Sequence, residues 1–353
     1  MGRTKAKIVL GIESSCDETA VALVTSDRRI LAERIASQEA EHAPYGGVVP
    51  EIAARAHAER LAPMLDVVLS EAGLGLDEVD AIAATAGPGL IGGVMVGLVS
   101  GKALAMASDT PLLAINHLEG HALSPRLADA ELGFPYLLLL VSGGHCQILL
   151  VEGVGEYRRL ATTIDDALGE AFDKTAKILG LGYPGGPAVE RLAREGDPKA
   201  VPLPRPLKGS KEPHFSFAGL KSAVLRAHES GDHADADIAA SFQAAAIDCL
   251  IDRLERSLAA IETPPALVVA GGVAANMAVR GALETLAERH AMRFTAPPLK
   301  LCTDNAAMIA WAGCERLPLD DTPIASDPLD FRARPRWPLD PEAEAVRGAG
   351  VKA

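Results

Sequence analysis

Apolar residues cluster along this chain in short β-branched runs, each followed by a polar or glycine-rich turn. Lys7 to Leu10 (KIVL) and Ala20 to Val24 (AVALV) flank the polar turn GIESSCDET, which predicts a β-hairpin with a functionalised loop. The pattern returns at Tyr136, where YLLLLV, SGGH and CQILLVE follow one another. Each half also carries a strand, a glycine cluster and a helix: VDAIAATAGPGLIGGVMVGLVSGKALA in the first, ALVVAGGVAANMAVRGALETLAE in the second. A hairpin and then strand–glycine–helix, twice, suggests a duplicated α/β domain with a cleft between copies, although two unrelated α/β units would give the same pattern. Residues 160–235 interrupt the second half as an insertion, helical around Ala171–Leu179 and turn-rich after it. From Pro318 onward proline and charge predominate, and mostly irregular structure is expected.

At 353 residues the chain exceeds one ordinary compact core, so two domains are expected. Aromatic residues make up only 4%, which leaves aliphatic, alanine-rich cores. The formal net charge of −13 argues against non-specific coating of nucleic acid, because phosphates would repel the surface, but leaves room for a local basic patch. Five scattered cysteines without a CxxC pair fit a reducing compartment, and a cytoplasmic location is expected. Glu13 and Asp17 break the N-terminal apolar run, so it does not read as a signal peptide. GLIGGVMVGLVSGKALAMA, with five glycines and Lys102, reads as a buried helix, and no membrane association is expected.

Three glycine turns could carry chemistry. Consecutive N–H groups in VSGGHCQI can cradle a phosphate or carboxylate after a buried strand. In AGGVAAN a strand ends at Gly271-Gly272 and a helix begins, so a nucleotide could lie against the helix N-terminus. Gly87-Pro88-Gly89-Leu90-Ile91-Gly92 matches GxGxxG, but no acidic residue ends a following strand about 20 residues on, as a dinucleotide site requires. Tight strand–helix packing accounts for it better.

The stretch NHLEGHALSP places His117 and His121 four residues apart, on one face of a helix. They read either as two ligands of one metal or as ordinary core or surface histidines. HLEGH is not the peptidase signature HExxH, since Glu119 sits one position later and so points about 100° away around the helix. Two histidines leave a divalent ion short of ligands, and Asp304 in LCTDNAAMIAWAG is the best distant carboxylate; as a plain helix cap it would have no such role.

Taken together, GIESSCDETAVAL, YGGVVPEIAARAH, TAGPGLIGG, NHLEGH, LLVSGGHCQ, IDDALGEAFDKTAKILGLGYPGGP, FSFAGLKSA, AGGVAANMAVR, CTDNAAMIAWAG and RPRWPL closely resemble the bacterial tRNA N6-adenosine threonylcarbamoyltransferase family, TsaD. They run in order from residue 8 to about 339, nearly the whole chain; the acidic stretch around His228–Asp237 and the last residues lie outside. The resemblance implies an α/β fold of two ribonuclease-H-like domains, of the actin, Hsp70 and sugar-kinase type, around an interdomain cleft. The first would span 1–115, with 305–340 packing back on it, and the second 116–304 with the 160–235 insertion. It implies that His117, His121 and Asp304 bind one divalent metal ion, iron(II) ahead of zinc. It places substrate on Leu140, Val141, Ser142, Gly143 and Gly144, with Asp173 and Gly186 at a ribose, Glu190 at a further ribose contact and Asn276 at the adenine end.

The implied reaction moves a threonylcarbamoyl group from threonylcarbamoyl-adenylate to the N6 amine of the adenosine beside the anticodon, in tRNAs reading codons that start with A. The catalytic base is unassigned; Glu13 and Asp17 in the first hairpin loop are candidates. An ATP-dependent kinase of the same fold and a non-enzymatic actin-like scaffold are the rivals, and neither has a use for HLEGH. Arg205, Lys208, Lys211, Lys221 and Arg226 form a basic stretch suited to one rim of a tRNA surface, with Arg55, His57 and Arg60 as the opposite rim. So acidic a chain is expected to need the family's partners, a paralogous inactive homologue (TsaB-like) and a small ATPase (TsaE-like).

Overall fold

The computed structural model describes residues 6–45, 47–182, 184–318, 320, 322–344 and 346. Packing divides the chain into two units, Met1–Glu131 with Asp304–Pro341, and Leu132–Thr303 with Glu342–Ala353.

In the first unit β1 (Ile8–Glu13), β2 (Glu18–Thr25) and β3 (Ile30–Ser37) form an antiparallel meander. The short α1 (Glu39–His42) and long α2 (Pro50–Ala72) follow, then β4 (Ala81–Gly87), α3 (Ile91–Ser108), β5 (Leu112–Asn116) and α4 (His117–Ala128). β4 and β5 extend the sheet in parallel, giving the order β3-β2-β1-β4-β5. β1 and β4 are buried along their whole length, which their unbroken apolar runs require of strands covered on both faces.

The glycines of α3 explain its close seat. Gly93, Gly97 and Gly101 recur every fourth residue, and side chains there would strike Ser14 and Ala84 on the sheet side. By length and composition α3 is also apolar enough to cross a membrane. Only its glycine face is buried as expected, for Ile91, Met95, Val99 and Met106 remain exposed.

The second unit repeats the plan. β6 (Tyr136–Val141), β7 (Cys146–Gly153) and β8 (Glu156–Thr162) form the meander, and β9 (Ala266–Ala270) and β10 (Arg293–Thr295) add in parallel on the other side, giving β10-β9-β6-β7-β8. Between β8 and β9 lie α5 (Leu168–Ile178), α6 (Gly185–Ala193), α7 (Ala218–Ser230) and α8 (Asp235–Leu258); α9 (Met277–Arg289) joins β9 to β10. Two sheets with one strand order, three antiparallel strands continued by two parallel ones, make this a pair of ribonuclease-H-like units, as the repeated pattern implied.

α10 (Ala306–Glu315) returns to the first unit, where all residues from Ala306 to Cys314 are buried, packed on β1, β2 and α4. The tail beyond it has no helix or strand among the described residues, but it is anchored. Ser326 and Asp327 side chains accept from Leu112 and Ala114 backbone N–H groups, and the Trp337 carbonyl accepts from Asn116 Nδ2. Because α4 packs on α10, the division by packing falls after Glu131 instead of after residue 115, and it puts Asp304 with the first unit.

Candidate functional site

α4 begins where Asn116 ends β5, and the Asn116 side chain caps the helix by accepting from Leu118 N at 2.9 Å. The next residue is His117, so the cap sets the direction of both imidazoles. Both are buried, and their rings meet edge to face with centroids 4.8 Å apart. Asp304 Oδ1 lies 3.0 Å from His121 Nε2 and 3.6 Å from His117 Nε2. The helix-cap alternative for Asp304 fails, because Asn305 caps α10 by accepting from Met308 N. The three donors lie within 4.8 Å of one another, the one group among the described residues with metal-ligand chemistry and spacing.

Glu13, expected in the first hairpin loop, is instead the last residue of β1 and is completely buried. Its Oε2 lies 3.0 Å from His117 Nδ1 and accepts from Thr85 Oγ1 at 2.6 Å, while Oε1 accepts from Ser15 N at 2.6 Å. Burial alone would raise the Glu13 carboxyl, but His117 outweighs it and holds the group below the usual range. Burial likewise opposes protonation of His117, yet the Asp304 and Glu13 carboxylates raise it to about 9. Asp17 is only half-buried.

Glu18, across the hairpin from Glu13, was missed. Burial, then the nearby Asp304 and Asp17 charges, push it up to about 9. Its only signal in the sequence was its place in the acidic GIESSCDET turn. Glu119 points away from the cluster, paired with Arg316.

In the second unit Leu140 and Val141 are buried in β6, and Gly143 and Gly144 stand open in the turn that follows. Two glycines let neighbours close on this turn. A side chain at Gly169 would meet Ser142 O at 2.5 Å, and Gly271, at φ +92, sits hard against the Val141 carbonyl. Gly169 opens α5, which carries Asp173; Asp173 Oδ1 accepts from Gly185 N at 2.9 Å, at the start of α6. Burial raises the Asp173 carboxyl, opposed by the Gly185 and Gly186 N–H groups. Glu190 on α6 accepts from Met277 N at 3.0 Å, beside Asn276 at the start of α9. One run of contacts thus joins the SGG turn, Asp173, Gly186, Glu190 and Asn276. Both ends of the Asn276 amide are engaged: Oδ1 caps Val279 N, and Nδ2 donates to Gln243. Tyr183 of YPGGP lies outside the described residues.

The basic rims fare unevenly. His57 is buried, bonded to Thr19 and the Cys16 carbonyl, and burial lowers its pKa, so it is no surface residue. Arg55 pairs with Glu51, and Arg60 with Glu41. In the other stretch, Arg205 and Lys208 share Asp248, and the loop backbone is held by α8: Gly209 N donates to Asp252, and Arg253 and Arg256 donate to the Glu212 and Lys211 carbonyls.

A paired ribonuclease-H-like architecture defines the class first, that of the actin, Hsp70 and sugar-kinase type. Solved structures agree at the level of fold: T. kodakarensis HypF superposes with a TM-score of 0.60 at 15% identity, covering 88% of this chain and 47% of that one. The Acidaminococcus fermentans (R)-2-hydroxyglutaryl-CoA dehydratase component A gives 0.52 at 16% identity, covering 86% and 96%. Residues 29–311 match the family described as TsaD, tRNA N6-adenosine threonylcarbamoyltransferase. A curated relative of that name from Erythrobacter litoralis is 78% identical over 98% of this chain and 100% of its own. The chain belongs to the TsaD family of tRNA N6-adenosine threonylcarbamoyltransferases.

Proposed function

We propose that this protein transfers a threonylcarbamoyl group from threonylcarbamoyl-adenylate to the N6 amine of the adenosine beside the anticodon of tRNAs that read codons starting with A. The observation that carries this reading is the whole-length identity to transferases of that name. The kinase and scaffold alternatives are not favoured. In the reaction the amine nitrogen bonds to the carbamoyl carbon, the carbon–oxygen bond to the phosphate breaks, AMP leaves and the amine gives up one proton. An exocyclic adenine amine is a weak nucleophile, so positioning and charge stabilisation must supply much of the acceleration.

The adenylate fits the second unit's glycine turn. Gly143 and Gly144, with open space where side chains would stand, suit close approach of phosphate oxygens to the turn, and Asp173 and Glu190 suit ribose hydroxyls. Asn276, which also caps α9, keeps a second N–H and a second lone pair on its amide and suits the adenine end. In the first unit His117, His121 and Asp304 would hold one divalent ion, iron(II) or zinc. Two imidazole nitrogens and one carboxylate oxygen converging within 4.8 Å are a donor set that fits either ion. Such an ion supplies Lewis acidity and a template for oxygen ligands. Glu13 suits orientation of His117 better than proton transfer, because its oxygens are already occupied by three donors.

The net charge of −13, and the pairing of Arg205 and Lys208 with Asp248, support a need for the partner proteins in tRNA capture. Five unpaired cysteines support a cytoplasmic setting. The test is to incubate the protein and its partners with labelled threonylcarbamoyl-adenylate and tRNA. Label on the tRNA adenosine with stoichiometric AMP is expected; label release without tRNA modification would contradict the reading.

A further inference from the structure

The two histidines of α4 are not equivalent. His121 Nδ1 is buried without a hydrogen-bond partner among the described residues. His117 Nδ1, by contrast, meets Glu13 Oε2 at 3.0 Å and Ser15 Oγ at 3.1 Å. Glu13 is fully buried at the last position of β1, in the centre of the sheet between β2 and β4. Its backbone partner is Ala20 of β2, and its side chain accepts from Thr85 of β4, so two neighbouring strands fix the carboxylate before it meets the imidazole. An ionised carboxylate only accepts, so the proton of a neutral His117 stays on Nδ1 and the Nε2 lone pair faces Asp304 and His121.

We infer that Glu13 is a positioning residue that selects the His117 tautomer and makes His117 the anchoring ligand of the site, with His121 the weaker one. This rests on the metal reading given above. Glutamine at position 13 cannot reproduce the arrangement. Its amide has one oxygen, whereas Glu13 accepts from Ser15 N at Oε1 and from Thr85 and His117 at Oε2. At least one donor would therefore face an NH2 group. Aspartate keeps the charge but withdraws it by one methylene.

The experiment titrates metal-free wild type, E13Q, E13D and T85V with zinc and with cobalt(II) against a competing chelator, recording the visible cobalt spectrum and checking each fold by circular dichroism. Wild type is expected to bind one ion tightly. E13Q and E13D should bind roughly 10- to 100-fold more weakly, with altered cobalt bands, and T85V should lose about 3-fold, since it removes a support of the carboxylate and not the carboxylate itself. Folded E13Q with wild-type affinity and an unchanged cobalt spectrum overturns the inference and leaves the metal reading standing. Wild type that binds neither ion overturns both. If the Glu13 variants fail to fold, T85V decides: weaker binding with shifted bands supports the role, and wild-type affinity overturns it.

Discussion

Alanine in place of His117, His121 or Asp304 removes one of three donors and leaves two, too few to hold a divalent ion at neutral pH. Each variant is expected to fold, to lose bound metal by elemental analysis, and to lose transfer at least about 100-fold; a folded, metal-free H117A/H121A double variant with full activity would refute the assignment. The protonation of His117 adds a pH prediction. Its folded pKa of about 9 lies above the ordinary 6.5, so in the metal-free protein its contribution is fully present below pH 6.5 and lost as pH rises through 9. Thermal stability of metal-free wild type should fall over that window, by on the order of 3 kcal/mol, and H117Q should lack the slope. Metal must displace the same proton, so zinc affinity should rise from pH 6.5 to 9; a flat profile contradicts this. At this scale the pairing of His117 and His121 was legible because i, i+4 residues share a helix face whatever the fold. Glu13 read as a residue of the hairpin loop and His57 as part of a basic rim; the structure buries both, Glu13 at the end of β1 and His57 on α2 against Thr19 of β2, and only the packed sheet shows that.

Glycine packing governs the elements around the site. Gly11 of β1 lies against the Ala306 carbonyl and Ala310 of α10, so G11A must push apart the strand that ends in Glu13 and the helix that follows Asp304. A loss of about 1–3 kcal/mol in denaturant unfolding is expected, together with weaker zinc binding; an unchanged midpoint would show that the contact relaxes freely. In the second unit D173A removes both the proposed ribose partner and the acceptor for Gly185 N. Binding of a stable adenylate analogue should fall about 10-fold or more while tRNA binding holds; equal loss of both would point to collapse of α6. The long apolar runs β1, β2, β4, β6, β7 and β9 could be read from the chain. β3 and β8 could not, because as edge strands they interleave Arg and Glu with apolar residues, and β10 is only three residues long. Nor could the capping role of Asn276 be read from the chain: its Oδ1 accepts from Val279 N and its Nδ2 donates to Gln243.

On the scale of the whole molecule, an acidic chain must bring its site to a polyanion. The loop from Arg205 to Glu212 is strapped to α8 by its backbone, which leaves Lys208 and Lys211 at the surface, the former partly neutralised by Asp248. Neutralising Lys208, Lys211 and Lys221 together is expected to weaken tRNA binding and flatten its dependence on salt, by a slope of about 1–3. An unchanged slope in filter binding would move the tRNA surface elsewhere. The isolated chain should bind tRNA weakly and turn over little without the proposed partners. The duplication was visible in the repeated hairpin and strand–glycine–helix order, and the common strand order of the two sheets bears it out. The central claim, that the chain modifies tRNA adenosine, is met most directly by nucleoside analysis of tRNA from cells depleted of this protein. Loss of N6-threonylcarbamoyladenosine, with accumulation of unmodified adenosine beside the anticodon and restoration by the wild-type gene but not by the H117A/H121A variant, is the predicted result. An undiminished level of the modified nucleoside after complete depletion would contradict the account.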